Sequence, residues 1–252
     1  MKLQALLNFL ESIAPPNLAM DWDNVGLMVG DQDWDVRKAL VALDAGEAAV
    51  DLAISEGCNL ILSHHPLIFR PIKHLTDPLL IKLVTHHIAV ISLHTNLDIA
   101  DHGVNHVLAS RLNLSVENVL DRETGLGLVG SLPQPMTLTA LAEHTKKSLH
   151  CPSLMLWTAG RKPETQVRQI AICGGAGGSL ITLAGQQAEL LICGDISYHS
   201  YLSSPIPLID AGHFYTEYPV LERLSKVLSS LGVPNLAMPL AQHEFPRFMQ
   251  VL

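Results

Sequence analysis

The sequence predicts an α/β protein made of two related α/β units, with a metal site at strand ends between them. Three observations predict it. Hydrophobic residues make up 48% of the chain and mean hydropathy is +0.27, which favours buried strands covered by helices. A strand–turn–helix–strand pattern recurs at an offset of 130 residues, Val41 onto Ala171. Three apolar runs end on histidine, and in two of them a carboxylate stands four residues further on.

From the N-terminus, Met1 to Leu10 reads as an amphipathic helix, because Gln4 and Asn8 interrupt its apolar residues and Glu11 comes next. It does not read as a signal peptide. Val41-Ala42-Leu43-Asp44 is a strand, Ala48 to Glu56 a helix, and Leu60-Ile61-Leu62-Ser63 a second strand that closes on His64-His65. The pair His86-His87, with Lys82 nearby, reads as a solvated helix end. Next comes the strand Ala89 to Leu93, which leads into His94-Thr95-Asn96-Leu97-Asp98, and a helix from Gly103 to Leu112.

The middle of the chain, 115–165, reads as a strand (Leu126 to Leu132), a helix (Leu138 to Leu149) and a strand (Ser153 to Trp157). No Pro-, Gly- or Ser-rich linker sets it apart, so it is grouped with the C-terminal half. The pattern then repeats: strand Ala171 to Gly174, helix Gly178 to Gln186, strand Leu190 to Cys193. The run Pro207 to Gly212 enters His213-Phe214-Tyr215-Thr216-Glu217, and a helix spans Pro219 to Leu231. Right-handed crossovers make each set of strands parallel. The expected units are residues 1–114 and 115–252, related by a pseudo-twofold axis.

Ligands of open α/β sheets collect at the carboxyl ends of strands, where His64, His65, His94 and His213 fall. Imidazoles and carboxylates without thiolates suit Zn, Fe or Mn. Neighbouring residues of an extended chain point apart, so His64 and His65 are expected to serve different ions of a close pair. Asp98 stands four residues after His94, and Glu217 four after His213, a spacing that shares one helix face. The competing reading makes each histidine a turn cap and each carboxylate a helix N-terminal charge. Three such strand ends in one repeating frame favour the metal.

Other chemistries find little footing. A formal charge of −8 argues against nucleic-acid binding, and no apolar stretch is long enough to span a membrane. Cys58, Cys151, Cys173 and Cys193 contain no Cys-x-x-Cys pair and read as small buried hydrophobes. With no disulfide framework or export signal, a cytoplasmic location is expected. Gly125-Leu126-Gly127-Leu128-Val129-Gly130 has dinucleotide spacing but neither succeeds a strand nor opens a helix. Gly174-Gly175-Ala176-Gly177-Gly178 could cradle an anion or form a tight turn. No Gly-x-Ser-x-Gly elbow occurs, so any hydrolysis needs activated water.

Ser63-His64-His65-Pro66-Leu67-Ile68-Phe69, His94 to Asp98 and Asp210 to Glu217 together resemble the dinuclear-metal family of GTP cyclohydrolase I type 2 homologues, or NIF-three-like proteins. The resemblance runs end to end, taking in Asp23-Asn24-Val25-Gly26-Leu27 and Gly194-Asp195-Ile196. It implies a NIF-three-like fold, a toroidal homohexamer and two divalent ions. His65 and Asp98 would hold one ion, His64 and His213 the other, and Glu217 would bridge them. His94 falls outside this ligand set; it or Asp195 is a candidate for moving protons. The chain departs from the family at Leu128, where arginine is common.

By resemblance the activity is metal-dependent hydrolytic opening of the guanine imidazole ring of GTP, with formate release. Arg70, Lys73, Arg122 and Arg161 are candidates to offset the acidic chain near an anionic substrate. A non-enzymatic metal-binding assembly or regulatory protein and a dinuclear phosphoesterase are the alternatives. Formate release separates the first reading from both.

Overall fold

The computed structural model describes residues 1–249. In chain order its strands are β1 (Gly26–Val29), β2 (Ala39–Ala42), β3 (Leu60–Ser63), β4 (Ala89–Ser92), β5 (Ser115–Val119), β6 (Leu128–Thr137), β7 (Met155–Trp157), β8 (Gln166–Ala176), β9 (Leu190–Gly194), β10 (Leu208–Asp210) and β11 (Asn235–Ala237). They form two sheets, one in each of two compact units. One unit is residues 1–101 with the described chain from 221 onward; the other is residues 102–220.

This division differs from the one expected at 114/115, for two physical reasons. The helix Val104–Arg111 packs on β8, β6 and β5 and so belongs with the second sheet. The end of the chain returns to the first sheet, where β11 pairs in parallel with β2 through Asn235 and Ala39.

The first sheet has the order β1-β4-β3-β2-β11. All neighbours are parallel except β1, which runs antiparallel to β4. Every residue of β2, β3 and β4 is buried, which is why these strands read as continuous apolar runs instead of alternating ones. On one face Leu40, Ala42, Ile61 and Val90 pack with Val50, Ala53 and Leu83. Those last three come from the helices Glu47–Ser55 and Pro78–Thr85. The second helix starts at Pro78 because Asp77 accepts the Leu79 and Leu80 N–H groups while proline sits where no N–H is needed. It ends at Thr85, leaving His86 and His87 exposed, as the sequence suggested.

The second sheet has the order β5-β6-β8-β9-β10-β7. Its β8, β9 and β10 are parallel and the remaining pairs antiparallel. Ala171, Cys173, Leu191, Cys193 and Leu208 face Ile181 and Ala184 across this core. The helix Leu138–Leu149 matches its expected span. Thr137 Oγ1 accepts the Ala140 N–H at one end, and His150 takes the left-handed conformation at the other.

Strand β6 continues five residues past its expected end at Leu132, through Pro133 and Pro135. Its pairing with β8 shifts between Ser131 and Met136, so the prolines fall in an irregular stretch that asks no ladder hydrogen bond of them.

The repeat survives as topology. In each unit three parallel strands succeed one another in chain order, β2-β3-β4 and β8-β9-β10. A short helix then starts within four residues of the third strand: Thr95–Ile99 in the first unit, His213–Glu217 in the second. Leu128 is buried in β6 against Ile172 and Val119, so here the position serves the core. All four cysteines are buried, and burial pushes the Cys193 thiol up to about 12. Among the described residues no helix is long and apolar enough to cross a membrane.

Candidate metal centre

In the first unit the chain bends as it leaves β3. The N–H groups of His64 and His65 both reach the Leu43 carbonyl, at 3.1 and 2.8 Å. Because the backbone is no longer extended there, the two rings do not point apart as expected for strand neighbours. Their centroids are 5.0 Å apart at 41°. The His94 ring joins them, at 5.4 Å from His64 and 5.7 Å from His65.

Each of these imidazoles is held by its Nδ1. His64, fully buried, donates to the Leu93 carbonyl at 2.7 Å. His65 donates to Asp44 Oδ1 at 2.7 Å, and His94 to Asp23 Oδ1 at 2.8 Å. A proton on Nδ1 puts the lone pair of the neutral ring on Nε2, the arrangement found where histidine ligates metal. Burial lowers the His94 pKa against the opposing pull of Asp23. For Asp23, burial works upward, but the hydrogen bonds from His94 and Thr95 prevail and lower it.

Asp98 Oδ1 lies 3.6 Å from His64 Nε2. Within this unit, therefore, the carboxylate neighbours the histidine that the resemblance assigns to the other ion.

The second unit has a histidine–carboxylate pair of its own. After β10, Gly212 at φ 81° turns the chain into the short helix that starts with His213. His213 Nδ1 donates to Asp195 Oδ2 at 2.7 Å, and its Nε2 is 3.1 Å from Glu217 Oε1, one turn on. Burial works to lower the His213 pKa, yet the Glu217 and Asp195 carboxylates lift it to about 9. Glu217 is only 3% exposed, a carboxylate taken out of water and paired there with the His213 imidazole. Asp195 holds its histidine from a left-handed backbone, φ 55°, which aspartate tolerates better than most residues.

The glycine segment supports this histidine–carboxylate pair, and three of its N–H groups are used within the unit. The Gly174 N–H donates to Asn105 Oδ1 and the Gly175 N–H to Thr216 Oγ1, each at 2.9 Å. The Gly177 N–H goes to the Gly194 carbonyl. Those donors are taken by the protein. Gly175 sits at φ 68°, and a Cβ there would overlap Glu217 Oε1. The glycine is what lets the carboxylate lie against β8.

The structure thus places His64, His65 and Asp98 in one unit and His213 and Glu217 in the other. Donors suited to a metal occur in both, His64 and His65 in the first and Glu217 in the second. Sequence reasoning gave no role to Asp23, Asp44 or Asn105. The usable signal was Asp23 in the Asp23-Asn24 motif and Asp44 at the end of the first repeated strand segment.

The family model described as Duf34/NIF3 (NGG1p interacting factor 3) matches residues 1–243. The chain belongs to the Duf34/NIF3 family. Among its Duf34/NIF3 relatives, a Clostridium acetobutylicum protein named GTP cyclohydrolase 1 type 2 homolog is 37% identical over 243 residues, covering 90% of each chain. NIF3-like protein 1 of Drosophila melanogaster is 32% identical over 211 residues, 80% of this chain and 72% of that one. A Staphylococcus aureus hypothetical protein of known crystal structure superposes with a TM-score of 0.89 at 28% identity, covering 100% of this chain and 99% of the other.

Proposed function

We propose that this Duf34/NIF3 protein binds two divalent ions, Zn, Fe or Mn, with the half-sites of both units. We further propose that it uses them to open the imidazole ring of a guanine nucleotide hydrolytically, with formate release. One observation carries the metal reading. The three proposed ligand imidazoles, His64, His65 and His213, all have Nδ1 fixed by an oxygen acceptor, a uniformity that capping histidines do not require. The substrate reading rests on the name carried by relatives such as the Clostridium acetobutylicum protein.

His64, His65, Asp98, His213 and Glu217 are the proposed ligands, with Glu217 shared between the ions. Such ions, when bound, bring the pKa of a water toward neutrality. The remaining work falls to side chains. His94, kept neutral by burial and oriented by Asp23, is placed to take a proton at Nε2. Asp44 and Asp195 accept from Nδ1 of His65 and His213 and so orient both rings with Nε2 toward the proposed ions.

The test is metal analysis of protein purified without added metal, together with formate release from GTP. Wild type is expected to carry close to two ions per chain, and His64→Ala and His65→Ala each to lose at least one. Wild type free of tightly bound metal overturns the metal reading. A metal-loaded protein that releases no formate overturns the hydrolase and leaves the metal centre standing.

We also propose a closed ring of six chains, the number implied by the resemblance; closed symmetry is the usual outcome of self-association. Light scattering at low micromolar concentration should then give about six times the 27.4 kDa chain mass. A mass near one chain sinks the ring.

A further inference from the structure

Beside the first-unit histidines stands a group of aromatic and basic residues that the metal reading does not use. Trp22 precedes Asp23, the carboxylate that holds His94, and its side chain is left 60% exposed. Its ring meets His94 edge-on at 6.1 Å and Phe69 at 5.8 Å with a 49° tilt. Phe69 is itself 46% exposed. Ring contacts therefore run without a gap from buried His64 through His94 to two aromatic faces open to water.

A contiguous pair of exposed aromatics marks an interaction surface, and the neighbouring charge indicates the kind of ligand. Phe69 also lines a concavity of about 400 Å³ with Ile68, Arg70, His74 and Leu79. That volume falls within the range of small-molecule sites. Arg70 and Lys73 make no ion pair among the described residues. Asp77, the one acidic side chain among the described residues lining the concavity, is occupied in capping the helix Pro78–Thr85. Arg70 thus puts an unpaired cation at the concavity of a chain of formal charge −8.

We infer that Trp22 and Phe69 stack the planar ring of a nucleotide and that Arg70 takes its phosphate. These three residues would then set substrate selection. That the ring is held beside a reacting centre rests on the metal reading above; the binding surface does not. Stacking on aromatic side chains tolerates any base, because every base offers a π-face. An arginine fork suits a phosphate.

The experiment uses chelator-treated full-length protein, so that binding is read apart from metal loading and turnover. GMP, guanosine and ribose 5-phosphate are titrated by calorimetry and by tryptophan fluorescence. GMP is expected to bind and to quench, and ribose 5-phosphate to bind at least about tenfold more weakly. Trp22→Leu and Phe69→Leu should each weaken GMP roughly five- to hundredfold, and Trp22→Leu should abolish most of the quenching. Arg70→Gln should weaken GMP while leaving guanosine unchanged.

The inference is overturned if GMP does not bind, if ribose 5-phosphate binds equally well, or if both aromatic variants bind GMP as wild type does. Unaltered GMP binding with a changed assembly mass in Trp22→Leu would assign the aromatics to a contact between copies of the chain. Should Trp22→Leu fail to fold, Phe69→Leu and Arg70→Gln decide the outcome. Absence of formate release leaves this result untouched.

Discussion

Glu217→Gln is expected to abolish tight metal binding by the second unit and to lower total metal content more than Asp98→Asn does. Glu217 is nearly inaccessible and stands 3.1 Å from the Nε2 of His213, so few water molecules can replace the lost charge. Asp98 is 12% exposed at its side chain and lies 3.6 Å from its neighbouring histidine, which gives its substitute more room to recruit solvent. Loss of an outer-shell partner typically costs roughly ten- to hundredfold in metal affinity; loss of a buried ligand carboxylate should exceed that.

Melting curves with chelator and with metal give a second measure. A ligand at a hundred times its Kd stabilises the folded state by about 2.7 kcal/mol, and Glu217→Gln should forfeit most of that gain. Equal metal content and an equal metal-induced rise in Tm for Glu217→Gln, Asp98→Asn and wild type would remove Glu217 from the ligand set.

Gly175→Ala is expected to do comparable damage without touching a ligand. The new methyl group would overlap Glu217 Oε1 and crowd His213 Nε2. The backbone at φ 68° adds strain for any residue with a Cβ, on the order of 1–2 kcal/mol. The carboxylate must swing away from His213, or β8 must shift off the helix that carries both residues. Metal content should fall toward that of Glu217→Gln, with a lowered Tm even under chelator, because the clash does not depend on the ion. A nearby control is Gly178→Ala, where a Cβ meets nothing closer than the Asp195 carbonyl oxygen at 3.6 Å. Gly175→Ala protein with wild-type metal content and Tm would show that β8 yields easily, and the glycine would lose its assigned role.

Much of this was legible in the chain, for identifiable reasons. Strands β3 and β9 and the helix Leu138–Leu149 are buried or capped in ways that leave local marks: continuous apolar runs, a threonine at the helix start and basic residues in the last turn. The direction of His64 and His65 was not legible. Strand geometry separates neighbouring side chains, but the chain bends one residue after Ser63, and the bend is fixed by the Leu43 carbonyl, far away in sequence.

Asp44 and Asp23 escaped for a similar reason. A carboxylate that orients a histidine 21 or 71 residues away leaves no spacing to read. The glycine segment offered two uses of the same backbone freedom. What decides between them is Asn105 and Thr216 occupying the N–H groups, a tertiary fact. The unit boundary was invisible because the three residues of β11 are only partly buried and carry no strong strand signal.

That last strand has a consequence for how the chain comes off the ribosome. Residues 1–101 emerge first and contain four of the five strands of their sheet, but the outer edge of β2 stays without a partner until Asn235–Ala237 has been made. The whole of the other unit is synthesised in the interval. Even the N–H of Ala48, at the start of its helix, waits for the carboxylate of Glu244, 196 residues later. At roughly 5–20 residues per second, the nascent first unit spends on the order of ten seconds or more with an unpaired strand edge, the kind of surface on which neighbouring chains on a polysome can pair wrongly. The brevity of β2, four residues, limits that exposure, and the sheet closes only after the second unit has been made.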